Sequence, residues 1–198
     1  SHIIGYLRWS FESLLPSCKS VYYNDNIVLV ININDKEQWQ DIKADLIDIL
    51  RKNNLAAGSS LMFHNVADIR KHYIQAKKAF KLGKLLRKEG VLFDYDDLYI
   101  YDMLTNLKED IKAHEFCHPS IFKIQDYDRA NGTDYYNTLY QYLICGGNVT
   151  MTANRLFAHR NTIVHRINKI QEIIDMDLND GNNRFKLLLS YRIMELPG

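Results

Sequence analysis

The sequence predicts a two-part chain: an α/β (α+β) domain with a small sheet over residues 1–105, followed by an all-α domain over 119–198. Three observations carry this. Up to about residue 105, β-rich runs alternate with stretches of helical apolar spacing, the pattern of a mixed layered fold. From Pro119 onward no run reads as a strand. Between the two, "NLKEDIKAHEFCHPS" is polar and connecting, which puts a linker over 106–118.

Residues 3–15 read as a short helix that stops near Pro16. "VYYNDNIVLVINI" follows, two β-rich runs around "NDN", a hairpin signal. Residues 35–52 carry Trp39, Ile42, Leu46, Ile49 and Leu50 at helical spacing. "LAAGSSLMF" reads as a strand. "NVADIRKHYIQAKKAFKLGKLL" reads as a long helix whose apolar face is Ile69, Tyr73, Ala76 and Phe80. "GVLFDYDDLYIYDML" gives a short strand and then a helix. In the second part, helices fit 119–128, 134–145, 149–157, 160–174 and 183–195, punctuated by Gly146-Gly147 and by "NDG" at 179–181.

Composition narrows the function classes. At 46% hydrophobic content over 198 residues there is material for one large or two small cores. No apolar run approaches the ~20 residues of a membrane span, and no signal peptide is visible. Cys18, Cys117 and Cys145 are far apart, odd in number and free of CxxC spacing, which fits a reduced cytoplasmic setting. The chain opens "SHIIGY" without a Met and reads as a piece of a longer protein. Net charge is +1, so global charge makes no case for nucleic acid. The charge is nevertheless segregated. Residues 91–116 hold seven acids against two lysines, whereas residues 146–170 hold Arg155, Arg160, Arg166 and Lys169 with no acid.

That acid-free window has the layout of a helix-turn-helix. Asn148 can cap one helix after the Gly-Gly stop. Ala153 and Leu156 face inward on it. A turn at Ala158-His159 leads to a second helix with an apolar stripe of Ile163, Ile167, Ile170 and Ile174. Small Ala153, ten residues before Ile163, allows the two helices to cross closely. The solvent face then carries Arg160, Asn161, Thr162, His165, Arg166 and Lys169. Arg can fork onto guanine, Asn onto adenine, and Thr can meet a thymine methyl or a phosphate. Thr150, Thr152 and Arg155 on the preceding helix are candidates for backbone phosphates. His159, at the turn, reads as a cap or packing residue. The expected partner is double-stranded DNA, read by a homodimer or higher homo-oligomer across two half-sites.

The residues "TANRLFAHRNTIVHRINKI" resemble the C-terminal helix-turn-helix of the PucR/CdaR family of bacterial transcription regulators. The upstream "HPSIFKIQDYDRANGTDYYNTLYQYL" and downstream "LNDGNNRFKLLLSYRIMEL" are similar to the rest of that domain, so the resemblance covers about 118–196. It implies that Arg160, Asn161, Thr162 and Arg166 lie in the DNA-reading helix. One departure from a general helix-turn-helix is Phe157, where many such motifs have Gly. Residues 5–104 look like the GGDEF-like domain that often precedes this end in the family, through the "NDNIVLVINI" hairpin and the "ADIRKHYIQAKKAFKLG" helix. The Gly-Gly-acid-acid turn of active GGDEF enzymes is missing, which implies no cyclase activity. The resemblance also implies a small-molecule effector, bound by a domain N-terminal to this chain.

Other motifs weigh against enzyme chemistry, cofactors or metals. "HEFCH" matches the H-E-x-x-H zinc hydrolase pattern, with His114 and His118 as ligands and Glu115 as base. Pro119 biases His118 away from the helical geometry that pattern needs. Asp94, Asp96 and Asp97 lack the Gly and closing Glu of a calcium loop and read as the acidic start of a helix. Tyr135, Tyr136, Tyr140 and Tyr142 read as core and interface residues rather than a base-stacking platform.

Overall fold

The computed structural model describes residues 2–15, 17–106 and 113–197, and within these the side chains of Lys36, Ala113 and His114 are not described. The chain divides into two compact units, Ser1–Asp102 and Met103–Gly198.

The first unit runs α1 (His2–Leu14), β1 (Cys18–Tyr23), β2 (Asn26–Ile31), α2 (Lys36–Lys52), β3 (Ala57–Ser59), α3 (Ile69–Leu85) and β4 (Leu92–Asp94), and α4 (Tyr95–Asn106) follows. β1 and β2 form an antiparallel hairpin in the register Cys18↔Ile31 to Tyr23↔Asn26. Its two-residue turn is Asn24-Asp25, both with positive φ (46° and 60°). This is the primed-turn geometry that Asn and Asp tolerate. Asp35 caps α2 by accepting from the Gln38 N–H. The core gathers Leu7 and Phe11 from α1, Leu15, Cys18, and Leu46, Ile49 and Leu50 from α2.

Three expectations need correction here. Among the described residues the strands pair two by two, β1 with β2 and β3 with β4, rather than in one continuous sheet. The expected strand over "LAAGSSLMF" shrinks to Ala57–Ser59, parallel to β4. In α3 the apolar face is rotated by roughly a quarter turn. His72, Ala79, Leu82 and Gly83 are buried, while Ile69 and Phe80 are exposed. The cause is close backbone approach. A Cβ on Gly58 would stand 2.1 Å from the Ala76 carbonyl oxygen, and one on Gly83 would overlap the Phe93 ring at 2.3 Å. The strand pair therefore lies directly on the small-residue side of α3.

The acidic start of α4 behaves as its sequence suggests. Asp96 and Asp97 are exposed in its first turn, and Asp94 pairs with Lys43 and accepts from Ser59.

The second unit is helical: a short 3-10 turn (Ala113–Phe116), α5 (Pro119–Asn131), α6 (Tyr135–Ile144), α7 (Val149–Arg155), α8 (Arg160–Ile174) and α9 (Gly181–Met194). Its core is built from Ile121 and Ile124 of α5, Leu139, Tyr142 and Leu143 of α6, Ala153 of α7, the isoleucines of α8, Leu178, and Leu187 and Tyr191 of α9. Tyr191 donates its hydroxyl to the Tyr136 carbonyl at 2.7 Å, and burial pushes its ionisation well above the usual phenol range. Asp128, near the end of α5, accepts from the N–H groups of Tyr135 and Tyr136 at 2.9 and 2.8 Å and from the Thr133 hydroxyl. A residue of one helix thus caps the next, and the local cap Asp134 makes no capping bond with its side chain.

Among the described residues no helix is long and apolar enough to cross a membrane.

Candidate nucleic-acid interface

The site is set by two helix ends and the turn between them. Helix α6 closes on Gly146 and Gly147, both at positive φ, and the Gly147 N–H returns to the Tyr142 carbonyl at 2.9 Å. Asn148 then caps α7, accepting from Met151 N–H. Helix α7 ends the same way without a glycine. Phe157 takes the left-handed position (φ 49°), and the Ala158 N–H bonds the Ala153 carbonyl at 3.0 Å. His159 starts α8, its Nδ1 accepting from the Asn161 N–H at 3.2 Å. Its expected role as a cap is what the geometry has.

Helix α8 has two rows with different duties. Ile163, Ile167, Ile170 and Ile174 are all buried, with Ala153 of α7 buried in the same core. Opposite them Asn161, His165 and Asn168, at i, i+4 and i+7, form an exposed row. Arg160, Thr162 and Lys169 are exposed beside it, as are Thr150 and Arg155 on α7. From Gly146 to Gln171 no acid interrupts this surface.

Residues 135–193 match the family model described as the PucR C-terminal helix-turn-helix domain. This stretch belongs to that family. Curated regulators are similar to this chain as well. AdeR of Bacillus subtilis (strain 168), named a DNA-binding transcriptional activator, is 25% identical over 98% of this chain and 47% of its own length. The purine catabolism regulatory protein of the same organism is 23% identical over 93% of this chain and 36% of its own. The carbohydrate diacid regulator of Escherichia coli (strain K12) is 29% identical over 67% and 34%. The chain thus spans less than half the length of these relatives. A solved regulator of polyketide synthase expression from Bifidobacterium adolescentis aligns over 98% of this chain and 74% of its own, at 16% identity and a TM-score of 0.38, too loose to carry an argument about the first unit.

Two of the sequence-derived contact residues sit differently in the PucR-type domain than their spacing suggests, and a third carries an ion pair. Thr152 is fully buried, and its hydroxyl donates to the Asn148 carbonyl at 2.8 Å, so it has no reach to a phosphate. Arg166 is half-buried rather than on the open face, donating to the Thr138 hydroxyl of α6 at 3.1 Å. Lys169 is exposed but pairs with Glu172 at 2.9 Å, and that hydrogen bond raises its ammonium pKa. The exposed row also includes Asn168, which sequence reasoning passed over. Its signal was available: it continues the i, i+4, i+7 series from Asn161.

The zinc hydrolase pattern dissolves in the backbone. Ala113–Phe116 is a 3-10 turn, and His118 is extended (φ −61°, ψ 131°), capping α5 by accepting from the Ser120 N–H. His118 is thus outside the helix that would have to carry both histidines. Among the described residues no group of three or more His, Cys, Asp or Glu is placed to hold a metal ion.

Proposed function

We propose that this chain is the C-terminal part of a cytoplasmic transcription regulator that binds double-stranded DNA in a sequence-specific way. In this reading α8 enters the major groove. Asn161, His165 and Asn168 face base edges, and Arg160, Thr162, Lys169, Thr150 and Arg155 meet the phosphates and sugars on either side. Arg166 acts as a positioning residue that fixes α8 against α6. The observation that carries the reading is the division of α8: its isoleucine row satisfies the core, which leaves Asn161, His165 and Asn168 as an exposed polar row that meets its first acid only at Glu172, in the last turn. AdeR, the relative described above, is named a DNA-binding protein as well.

Residues 1–105 serve, in this proposal, as a GGDEF-like domain without catalysis, joined by 106–118 to the DNA-binding domain at 119–198. The missing Gly-Gly-acid-acid turn supports a non-enzymatic role. Two copies act together on paired half-sites, and a small-molecule effector binds a domain that precedes this chain.

The test is a fluorescence-anisotropy titration against DNA from upstream of the protein's own gene, with random duplex as competitor. Asn161→Ala should cost about 1–3 kcal/mol of discrimination and flatten the preference for one base pair. Equal binding of both duplexes by the parent chain, joined by an inert Asn161→Ala, would sink the reading.

A further inference from the structure

Unpaired positive charge also gathers outside α8, on α3. From Ile69 to Lys88 the sequence holds eight Lys and Arg residues and no acid. Helical spacing puts Arg70, Lys77, Lys81 and Lys84 in one row on the side away from the buried His72, Ala79 and Gly83. All four are exposed. Lys78, off this row, is the α3 cation that pairs with a carboxylate, Asp102 at 2.8 Å. The four row cations have no carboxylate at ion-pair distance among the described residues. Lys77 and Lys84 rest instead against the Tyr73 and Phe80 rings, at 5.6 and 5.9 Å from the centroids, which orders the side chains without cancelling their charge.

A solvated helix face ordinarily mixes signs, because Glu–Lys pairs at i, i+4 stabilise a helix and like pairs destabilise it. Here Lys77 and Lys81, at i, i+4, and Lys81 and Lys84, at i, i+3, are like pairs. The arrangement works against the helix alone and in favour of a helix lying on a polyanion. The row from Arg70 to Lys84 spans about 21 Å at about 1.5 Å per residue. Duplex DNA of that length carries roughly 12 phosphate charges. The exposed apolar residues of α3 lie on both sides of this row, Ile69 and Phe80 on one and Ile74 and Leu85 on the other, rather than forming the single apolar face that an interfacial membrane helix buries.

We propose that α3 is a second, sequence-independent phosphate-binding surface for duplex DNA, separate from the helix-turn-helix. Tethered to a reading domain, such a surface raises affinity by effective concentration and leaves base preference alone. The proposal builds on DNA as the partner of α8 but can be tested apart from it.

The experiment compares the full chain with the variant R70Q/K77Q/K81Q/K84Q and, separately, with R160Q/N161A. Random-sequence duplex and upstream duplex are titrated from about 50 to 200 mM salt. All four α3 positions are exposed, and circular dichroism checks that each variant keeps its helix content. The α3 variant should show a log K against log salt slope shallower by about 3 to 4, and random-duplex affinity at low salt reduced at least roughly tenfold. Its ratio of upstream to random binding should hold. An unchanged slope overturns the proposal. So does tighter binding of the parent chain to phosphatidylserine vesicles than to duplex, lost in the α3 variant, which would reassign the row to a lipid surface. If R160Q/N161A binds as the parent while the α3 variant loses affinity, α3 stands and the role given to α8 falls.

Discussion

Phe157→Gly should stabilise the helical unit, although it deletes an aromatic ring. Phe157 is 98% exposed, so its ring has almost no buried area to lose, and at about 25 cal/mol per Å² the hydrophobic cost is close to zero. Its backbone is left-handed at φ 49°, a conformation that costs a side-chain-bearing residue about 1–2 kcal/mol. Glycine removes that strain but gives back about 0.4–1 kcal/mol through a more flexible unfolded chain. The balance is a gain of about 0.5–1 kcal/mol, or roughly two- to fivefold slower amide exchange where exchange requires the unit to open. Hydrogen exchange of the Ile163, Ile167 and Ile170 amides reads this unit by itself. Phe157→Ala keeps the strain and should match the parent, and β-branched Phe157→Val should exchange faster. Faster exchange in Phe157→Gly would refute the reasoning, since it would mean that the ring holds the turn through contacts or that the left-handed backbone is not strained.

Gly58→Ala should destabilise the first unit by about 3 kcal/mol, because its Cβ meets the backbone of α3 rather than a movable side chain; urea denaturation followed by Trp9 and Trp39 fluorescence checks this. Asp128→Ala strips the cap from α6 and should cost about 2 kcal/mol, with Asp128→Asn recovering part of it, as read by exchange at Leu139 and Tyr142. The thiols should resist alkylation at pH 8 in the native chain and react in urea. All three are buried, and burial pushes Cys18 up to about 11. That leaves about a thousandth of it as thiolate at pH 8, against roughly a quarter when unfolded. Rapid native labelling would contradict the burial.

Punctuation was the legible part of this sequence. Asn148 and His159 cap the helices they precede, and Asn24-Asp25 turns the hairpin, because capping and turn chemistry act within a few residues. The isoleucine stripe of α8 was equally plain, since four large β-branched residues leave one face to bury. The face of α3 was not. Its Ile69–Phe80 row and its Ala79–Leu82 row are neighbours on the helix, and periodicity ranks the first higher on apolar bulk. The decision lies with Gly58, whose strand partner Phe93 is 35 positions away, and no local pattern reports that contact. Thr152 and Arg166 misled for the same reason: polar residues beside a basic face look exposed until their partners, Asn148 and Thr138, are seen. In the α6 cap, Asp134 holds the N-cap position and Asp128 performs the role through the fold of the α5–α6 connection.

The division of α8 into two rows also bears on how such a protein can change. Asn161, His165 and Asn168 share a backbone with the isoleucines but none of their packing. Replacing all three should shift which duplex is preferred at almost no cost to folding. Conversely, Ile163 and Ile170 can drift in size only together with other residues of the core they share, and such drift alters stability before it alters preference. Within one fifteen-residue helix, recognition and architecture are free to evolve at different speeds.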